Sequence, residues 1–327
     1  MLRPNISDLF GFHLQRRTRA YVVGFAIFLV VLCYLFLLPP LGFPVGKEIV
    51  IPADRPFSDT AEYLEQERVV RSAFVLKAVA RVFQADRDVQ AGRYVFSSPA
   101  GLSTVLYRLT SGISGLPSAQ VTLPEGMSAR EMGIVLAAEI PGFDADTFVS
   151  LATPHEGTLF PDTYDIYLDA TPEDVVSLLR ATYDEKLEEV RPAIEASGRS
   201  EEEIVIMASL LEKEAKTDED RKMVSGILWD RIEIGMPLQV DAVFGYIHGR
   251  DTYHPSFEDL ESDSPYNTYT NQGLPPGAIG NPGLAAIRAA LTPIETEYLY
   301  YLSGTDGTMH YARTFEEHKE NREKYLR

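Results

Sequence analysis

The residues best suited to chemistry in this 327-residue chain are Glu212 and Glu214, which close an apolar run from Ile204 to Leu211. Ser200 and Glu203 stand ahead of that run at capping-box spacing. The pattern predicts a helix that is apolar on nearly all sides and therefore buried. Burial penalises the charged form of a carboxyl group and raises its pKa, which a general acid requires. On a helix, residues two apart point about 200° away from each other, so the two glutamates cannot share one cleft. Glu214 lies one turn beyond Leu210 and Leu211 on an apolar flank and is the better acid. Glu212 is expected to be a structural partner for Lys213, or for an arginine such as Arg221 or Arg231. The alternative is that both are solvated residues in a last helical turn, and the residues by themselves leave that open.

Other machinery is missing from the sequence. There is no phosphate-binding G-x-x-x-x-G-K-[ST], no G-x-G-x-x-G, no G-x-S-x-G elbow and no H-E-x-x-H pair. The six histidines never pair at helical ligand spacing, and the one cysteine, Cys33, sits in an apolar N-terminal run. No metal and no cofactor are expected. Carboxylates, amides, hydroxyls and tyrosines remain, an inventory that suits sugar chemistry.

The elements that must position these groups follow from patterning. Tyr21 to Leu38 is an uncharged apolar stretch preceded by Arg16, Arg17 and Arg19, long enough to cross a bilayer core of ~30 Å. The positive-inside rule places residues 1–20 in the cytoplasm and the remainder outside it. The rival, a cleaved signal peptide, lacks a small-x-small cleavage site here. Net charge is −18 overall and +3 over residues 1–40, leaving −21 for the rest, which argues against nucleic acid as a partner. Residues 39–120 read as a connector and a small α/β module, with strands at Glu48–Ile51 and 91–96 around helices that break near Val69. Residues 121–327 read as a mixed α+β domain. It has a capped helix at Ser128, a long helix over Pro172–Ala196, the Ser200 helix, another from Asp218, a Pro/Gly/Asn/Tyr-rich loop over 263–282, and a hairpin around Thr305-Asp306-Gly307.

Several segments carry a family resemblance: HEGTLFPDTY (155–164), MASLLEKEA (207–215), VSGILWDRIEIGMPLQVDAVFGY (224–246), SPYNTYTNQGLPPGAIGNPGLAAIRAAL (264–291) and YLYYLSGTDGTMHYARTFEEHKEN (298–321). In order and spacing the chain resembles the MltG (YceG-like) family of membrane-anchored endolytic murein transglycosylases. The resemblance implies an α+β fold with a single N-terminal transmembrane helix, a LysM-like module within 39–120 and a YceG-like catalytic domain over 121–327. It implies cleavage of the β-1,4 bond between N-acetylmuramic acid and N-acetylglucosamine in peptidoglycan glycan strands, giving 1,6-anhydromuramic ends. Glu214 matches the family's catalytic glutamate. Gln239 and Asp241 could hydrogen-bond sugar hydroxyls or orient Glu214, or brace a turn. Tyr266, Asn267 and Tyr269 would line a cleft or pack a loop. Glu156, Thr163 and Tyr164 belong to a segment placed beside the site. The implied partners are glycan strands, the cytoplasmic membrane and peptidoglycan synthases. Two other readings are a non-catalytic glycan-binding scaffold and a muramidase that pairs Glu214 with a second carboxylate such as Asp241.

Overall fold

The computed structural model describes residues 16–249 and 255–326; residues 1–15 of the expected cytoplasmic tail lie outside it. The chain divides into two compact units, Met1–Pro117 and Ser118–Arg327. The division precedes residue 121 because a strand already begins at Ser118, ahead of the apolar signal at Val121.

The first unit contains α1 (Arg16–Leu37), β1 (Glu48–Ile51), α2 (Phe57–Gln66), α3 (Ala73–Val82), β2 (Gly92–Val95) and α4 (Leu102–Thr110). α1 runs through the expected membrane stretch, and Phe25 and Phe28 on it are exposed. Among the described residues no helix is long and apolar enough to cross a membrane. β1 and β2 pair antiparallel, Glu48 opposite Val95 and Ile51 opposite Gly92. A two-stranded ribbon is marginal alone. This one buries Ile49, Ile51 and Tyr94 with Leu64, Leu76 and Leu109 from the helices. The helical break near Val69 is present, and Ser72 caps α3 by accepting from the Val75 N–H.

The second unit contains β3 (Ser118–Thr122), α5 (Ala129–Glu139), α6 (Ala145–Ala152), β4 (Thr163–Tyr167), α7 (Pro172–Leu187), α8 (Arg191–Ser197), α9 (Glu201–Glu214), α10 (Asp218–Glu233), α11 (Ala242–His248), α12 (Phe257–Leu260), α13 (Leu284–Leu291), β5 (Tyr300–Ser303), β6 (Met309–Ala312) and α14 (Phe315–Tyr325). The architecture is mixed α+β. β3 pairs antiparallel with β4, and β5 with β6. One core gathers Val121, Met132, Phe148, Ile166 and Leu179. The other is built round α9, whose residues Ile204 to Leu211 are all buried, with Leu228, Trp229, Phe244 and Ile287 among its neighbours.

Two expectations need correction. The long helix over Pro172–Ala196 is two helices, α7 and α8. Pro192 lies in the first turn of α8, where its missing N–H is harmless. Inside a continuous helix its ring would clash with the carbonyl four residues back. Secondly, α11 was not foreseen. It begins at Ala242, after the irregular segment 238–241 that follows the Gly235-Met236-Pro237 stop, and its N-cap residue Asp241 makes no capping bond.

Gly226 of α10 faces a close backbone approach, since a Cβ there would collide with the Ile294 carbonyl oxygen. Alanine should favour the helix by about 1 kcal/mol, but the clash is with backbone and cannot relax by side-chain rotation. Gly226→Ala is therefore expected to destabilise the protein by about 1–3 kcal/mol in a urea titration. A gain in stability would show that the approach is loose.

Candidate active site

α9 ends abruptly, because Ala215 leaves helical geometry at φ −138° and ψ 142°. The two glutamates before it take different directions. Glu212 is nearly buried. Its Oε1 accepts from Arg221 Nη2 at 2.6 Å, and its Oε2 from the Gly283 N–H at 2.9 Å. It thus ties α9 to α10 and to the start of α13, with Arg221 as its arginine. Arg231 is also buried but bonds the Leu238 and Leu299 carbonyls.

Glu214 Oε2 accepts from the Tyr301 hydroxyl at 2.9 Å, and the Ala242 N–H also donates to this carboxyl. The residue is partly buried and lines two cavities. Burial pushes its pKa up to about 7, and the charge of Asp241 adds to that. The bonds from Tyr301 and Ala242 and the charge of Arg231 pull the other way without cancelling it. Burial, with the Glu214 charge beside it, also holds the Tyr301 hydroxyl well above its ordinary value, so Tyr301 remains a donor.

Three abutting cavities surround these groups. The largest, about 880 Å³, is lined by Ser128, Glu156, Glu214, Asp241, Tyr246 and Tyr266. A second, about 520 Å³, shares Glu156, Tyr246 and Tyr266 with it. A third, about 540 Å³, shares Glu214 and Asp241 and adds Gln239 and Tyr269. Glu156 therefore stands at one junction and Glu214 at the other. The Glu156 carboxylate accepts from the Ala129 N–H at the start of α5 (3.0 and 3.2 Å) and from Asn281 Nδ2 at 2.7 Å. Burial nevertheless raises its pKa to about 7.

Asn281 organises this end of the trough. It is fully buried. Its Oδ1 accepts from the Gly157 and Leu159 N–H groups at 2.8 and 2.9 Å, and its Nδ2 also donates to the Met127 carbonyl at 2.9 Å. Its own backbone exchanges bonds with Gly126 and Met127. Gly280 must be glycine here, because a Cβ would strike the Gly126 carbonyl.

The other sequence-selected residues divide. Asp241 is exposed and accepts from the Tyr269 hydroxyl at 2.6 Å. Gln239 is exposed at a left-handed φ of 51°, a conformation that costs on the order of 1 kcal/mol for a non-glycine residue. Bonds from its N–H to the Thr268 carbonyl and from the Val240 N–H to Thr268 Oγ1 hold it there. Tyr266 and Tyr269 reach the cavities. Asn267 does not. It is fully buried, donates to the Leu260 and Ser262 carbonyls and accepts from the Tyr269 N–H. Of its two readings, cleft contact and loop packing, it takes the second. Thr163 and Tyr164 stand on β4 and line none of the three cavities. Thr163 Oγ1 meets Thr122 Oγ1 at 2.9 Å, and the Tyr164 hydroxyl donates to the Phe160 carbonyl at 2.6 Å. Sequence reasoning missed Tyr301, Tyr246 and Asn281. The only local signal for Tyr301 was the alternation of the YLYYLS strand, which turns every second residue inward.

A shielded, protonated carboxyl at the wall of a long polar and aromatic trough can deliver a proton to a bound polymer. The sequence profile of the YceG-like family matches residues 49–324. The chain belongs to the YceG-like family. An endolytic murein transglycosylase of Bacillus subtilis is 30% identical over 316 residues, covering 86% of this chain and 87% of that protein. An endolytic murein transglycosylase of Streptococcus pneumoniae is 27% identical over 357 residues, covering 93% of this chain and 64% of that longer protein. The crystal structure of a YceG-like protein from Listeria monocytogenes superposes with a TM-score of 0.58 at 28% identity, covering 84% of this chain and 99% of that one.

The raised pKa carries a stability signature. Folded Glu214 keeps its proton up to about pH 7, whereas the unfolded chain loses it near 4.5. Its contribution is thus fully present below pH 4.5 and is lost as pH rises through 7. Glu214→Gln should match the wild type in denaturant stability at pH 4 and exceed it at pH 8, by up to about 3 kcal/mol. Equal stability at both pH values would mean that the carboxyl is not desolvated.

Proposed function

We propose that this protein is a membrane-anchored endolytic lytic transglycosylase of peptidoglycan. The observation that carries the reading is the partly buried Glu214 carboxyl, bonded by Tyr301 at the junction of two cavities, with burial pushing its pKa up to about 7. The shared name of its relatives supports the same activity. Glu214 protonates the glycosidic oxygen between N-acetylmuramic acid and N-acetylglucosamine, and the C1–O bond breaks. The C6 hydroxyl of the muramic sugar then bonds to C1 and returns its proton to Glu214. The products are a 1,6-anhydromuramic end and a free N-acetylglucosamine end, with no water consumed. One carboxyl serves as acid and then as base, and no metal or cofactor enters the reaction.

Tyr301 and the Ala242 N–H are positioning groups for Glu214. Glu156, Gln239, Asp241, Tyr266 and Tyr269 contact the strand. Glu212, Asn267, Thr163 and Tyr164 support the walls. Three abutting cavities suit a polymer gripped along its length, as cleavage inside a strand requires. The apolar run of α1, with its exposed side chains, anchors the chain in the cytoplasmic membrane, with residues 1–20 in the cytoplasm and residues 39–327 outside. Residues 39–120 supply a connector and a LysM-like glycan-binding module. An anchored enzyme of this kind meets strands as they emerge from peptidoglycan synthases.

Asp241 supports one other reading. It lines the same cavities as Glu214, and a carboxylate there could activate water and make the enzyme a muramidase. Mass spectrometry of digested peptidoglycan separates the two. Anhydro ends are expected, and reducing ends would overturn the transglycosylase. Glu214→Gln should lower the yield of anhydro ends by about 10²–10⁴-fold, and unchanged yield would remove Glu214 from the reaction.

A further inference from the structure

The third cavity is lined by two arginines, Arg231 and Arg322, and by His318. Several cations of the second unit meet carboxylates, as in Arg221–Glu212, Arg191–Glu188, Arg288–Glu189 and Arg313–Glu297. The two arginines of this cavity do not. Arg231 is buried on its wall and bonds backbone carbonyls. Arg322, on the last turns of α14, lines the cavity and has no carboxylate partner among the described residues. His318 lies one turn before Arg322 and is close enough to both arginines that their charges oppose its protonation. Tyr300 packs against Arg231 and His318, with Arg231 Cζ 5.4 Å from its ring centre and the His318 ring stacked on it at 5.5 Å. Asp241 and Glu214 are the carboxyl groups on the same lining, and the hydroxyls of Tyr269 and Tyr301 donate to them. In a chain of net charge −18, a cavity lined by Arg322, Arg231 and Tyr300 offers an anion a charge-assisted hydrogen bond.

The cavity abuts Glu214, so its occupant must adjoin the bond that Glu214 protonates. We infer that the third cavity is the subsite for the muramyl side of the strand, with Arg322 as the substrate-facing cation that binds a carboxylate carried there. This rests on the transglycosylase reading. That carboxylate has two sources of the same chemistry: the lactyl group of a muramic residue without a peptide, or the stem peptide of one that bears it. Arg231 sets the local potential from below, and Tyr300 meets the apolar face of the sugar or stem.

The test measures KM and kcat of the full chain on three strand preparations: strands bearing stems, strands stripped of stems so that lactyl carboxylates are free, and stripped strands whose carboxylates have been converted to amides. Arg322 is exposed on its helix, so its replacement leaves the core intact. Arg322→Gln should raise KM about tenfold on carboxylate-bearing strands while kcat stays within about twofold, a loss on the scale of one charge-assisted hydrogen bond. Arg322→Lys should recover most of that loss, and on amidated strands the wild type and Arg322→Gln should have equal KM. A penalty on stripped strands assigns the lactyl carboxylate, and a penalty confined to stem-bearing strands assigns the peptide. Equal KM for wild type and Arg322→Gln on both carboxylate-bearing preparations would overturn the subsite while leaving the activity intact. A wild type that makes no anhydro ends on any strand would overturn the activity itself, and the subsite with it.

Discussion

The candidate site depends on one constraint, the burial of α9 on all sides. Ile204 to Leu211 lie within the core without interruption, and each large apolar side chain buried there contributes about 1.5–3 kcal/mol. Carrying a carboxyl group into protein at the end of such a helix costs on the order of 3 kcal/mol for the shift ascribed to Glu214. One or two leucines of the same helix offset it. The helix can therefore hold Glu214 in a position where ionisation is unfavourable near neutrality, and the proton stays on the carboxyl.

A buried helix fixes its end only if its surroundings are fixed too. The irregular segment 277–283 does much of this. The Ser209 hydroxyl of α9 accepts from the Ile279 N–H at 3.1 Å while donating to the Ile206 carbonyl. Asn281 joins the 156–159 loop to Met127, and Gly283 bonds Glu212. The segment carries no helix or strand, yet its polar groups connect α9, the N-terminal end of α5 and the turn that holds Glu156. Removing a partner from such a buried set leaves unsatisfied groups, which is costlier than the net worth of any one bond.

Local pattern made much of the architecture legible. The capping boxes at Ser128 and Ser200, the apolar run of α9, the break between α2 and α3 and the β5–β6 hairpin are all signals that span a few residues. The divergence of Glu212 and Glu214 also follows from helical geometry. Partnerships set by tertiary folding were not legible. Tyr301 lies 87 residues from Glu214, and Asn281 lies 125 from Glu156; neither pairing has a local signature. Asn267 shows the converse, because an amide in a tyrosine-rich loop reads as a sugar ligand until its donors are seen bonding its own loop. The α7–α8 break was present in the sequence as Pro192, but the amphipathic periodicity on either side of it is continuous and masks the interruption.

The central claim is that the Glu214 carboxyl remains protonated near neutrality because protein encloses it. The most direct measurement is a carbon-13 NMR titration of its side-chain carboxyl carbon in the folded protein, with the resonance assigned by its loss in Glu214→Gln. A midpoint near pH 7 is expected. A midpoint near the ordinary glutamate value of 4.5 would contradict the account, since Glu214 would then be ionised wherever the enzyme works near neutral pH and could not begin the reaction as its acid.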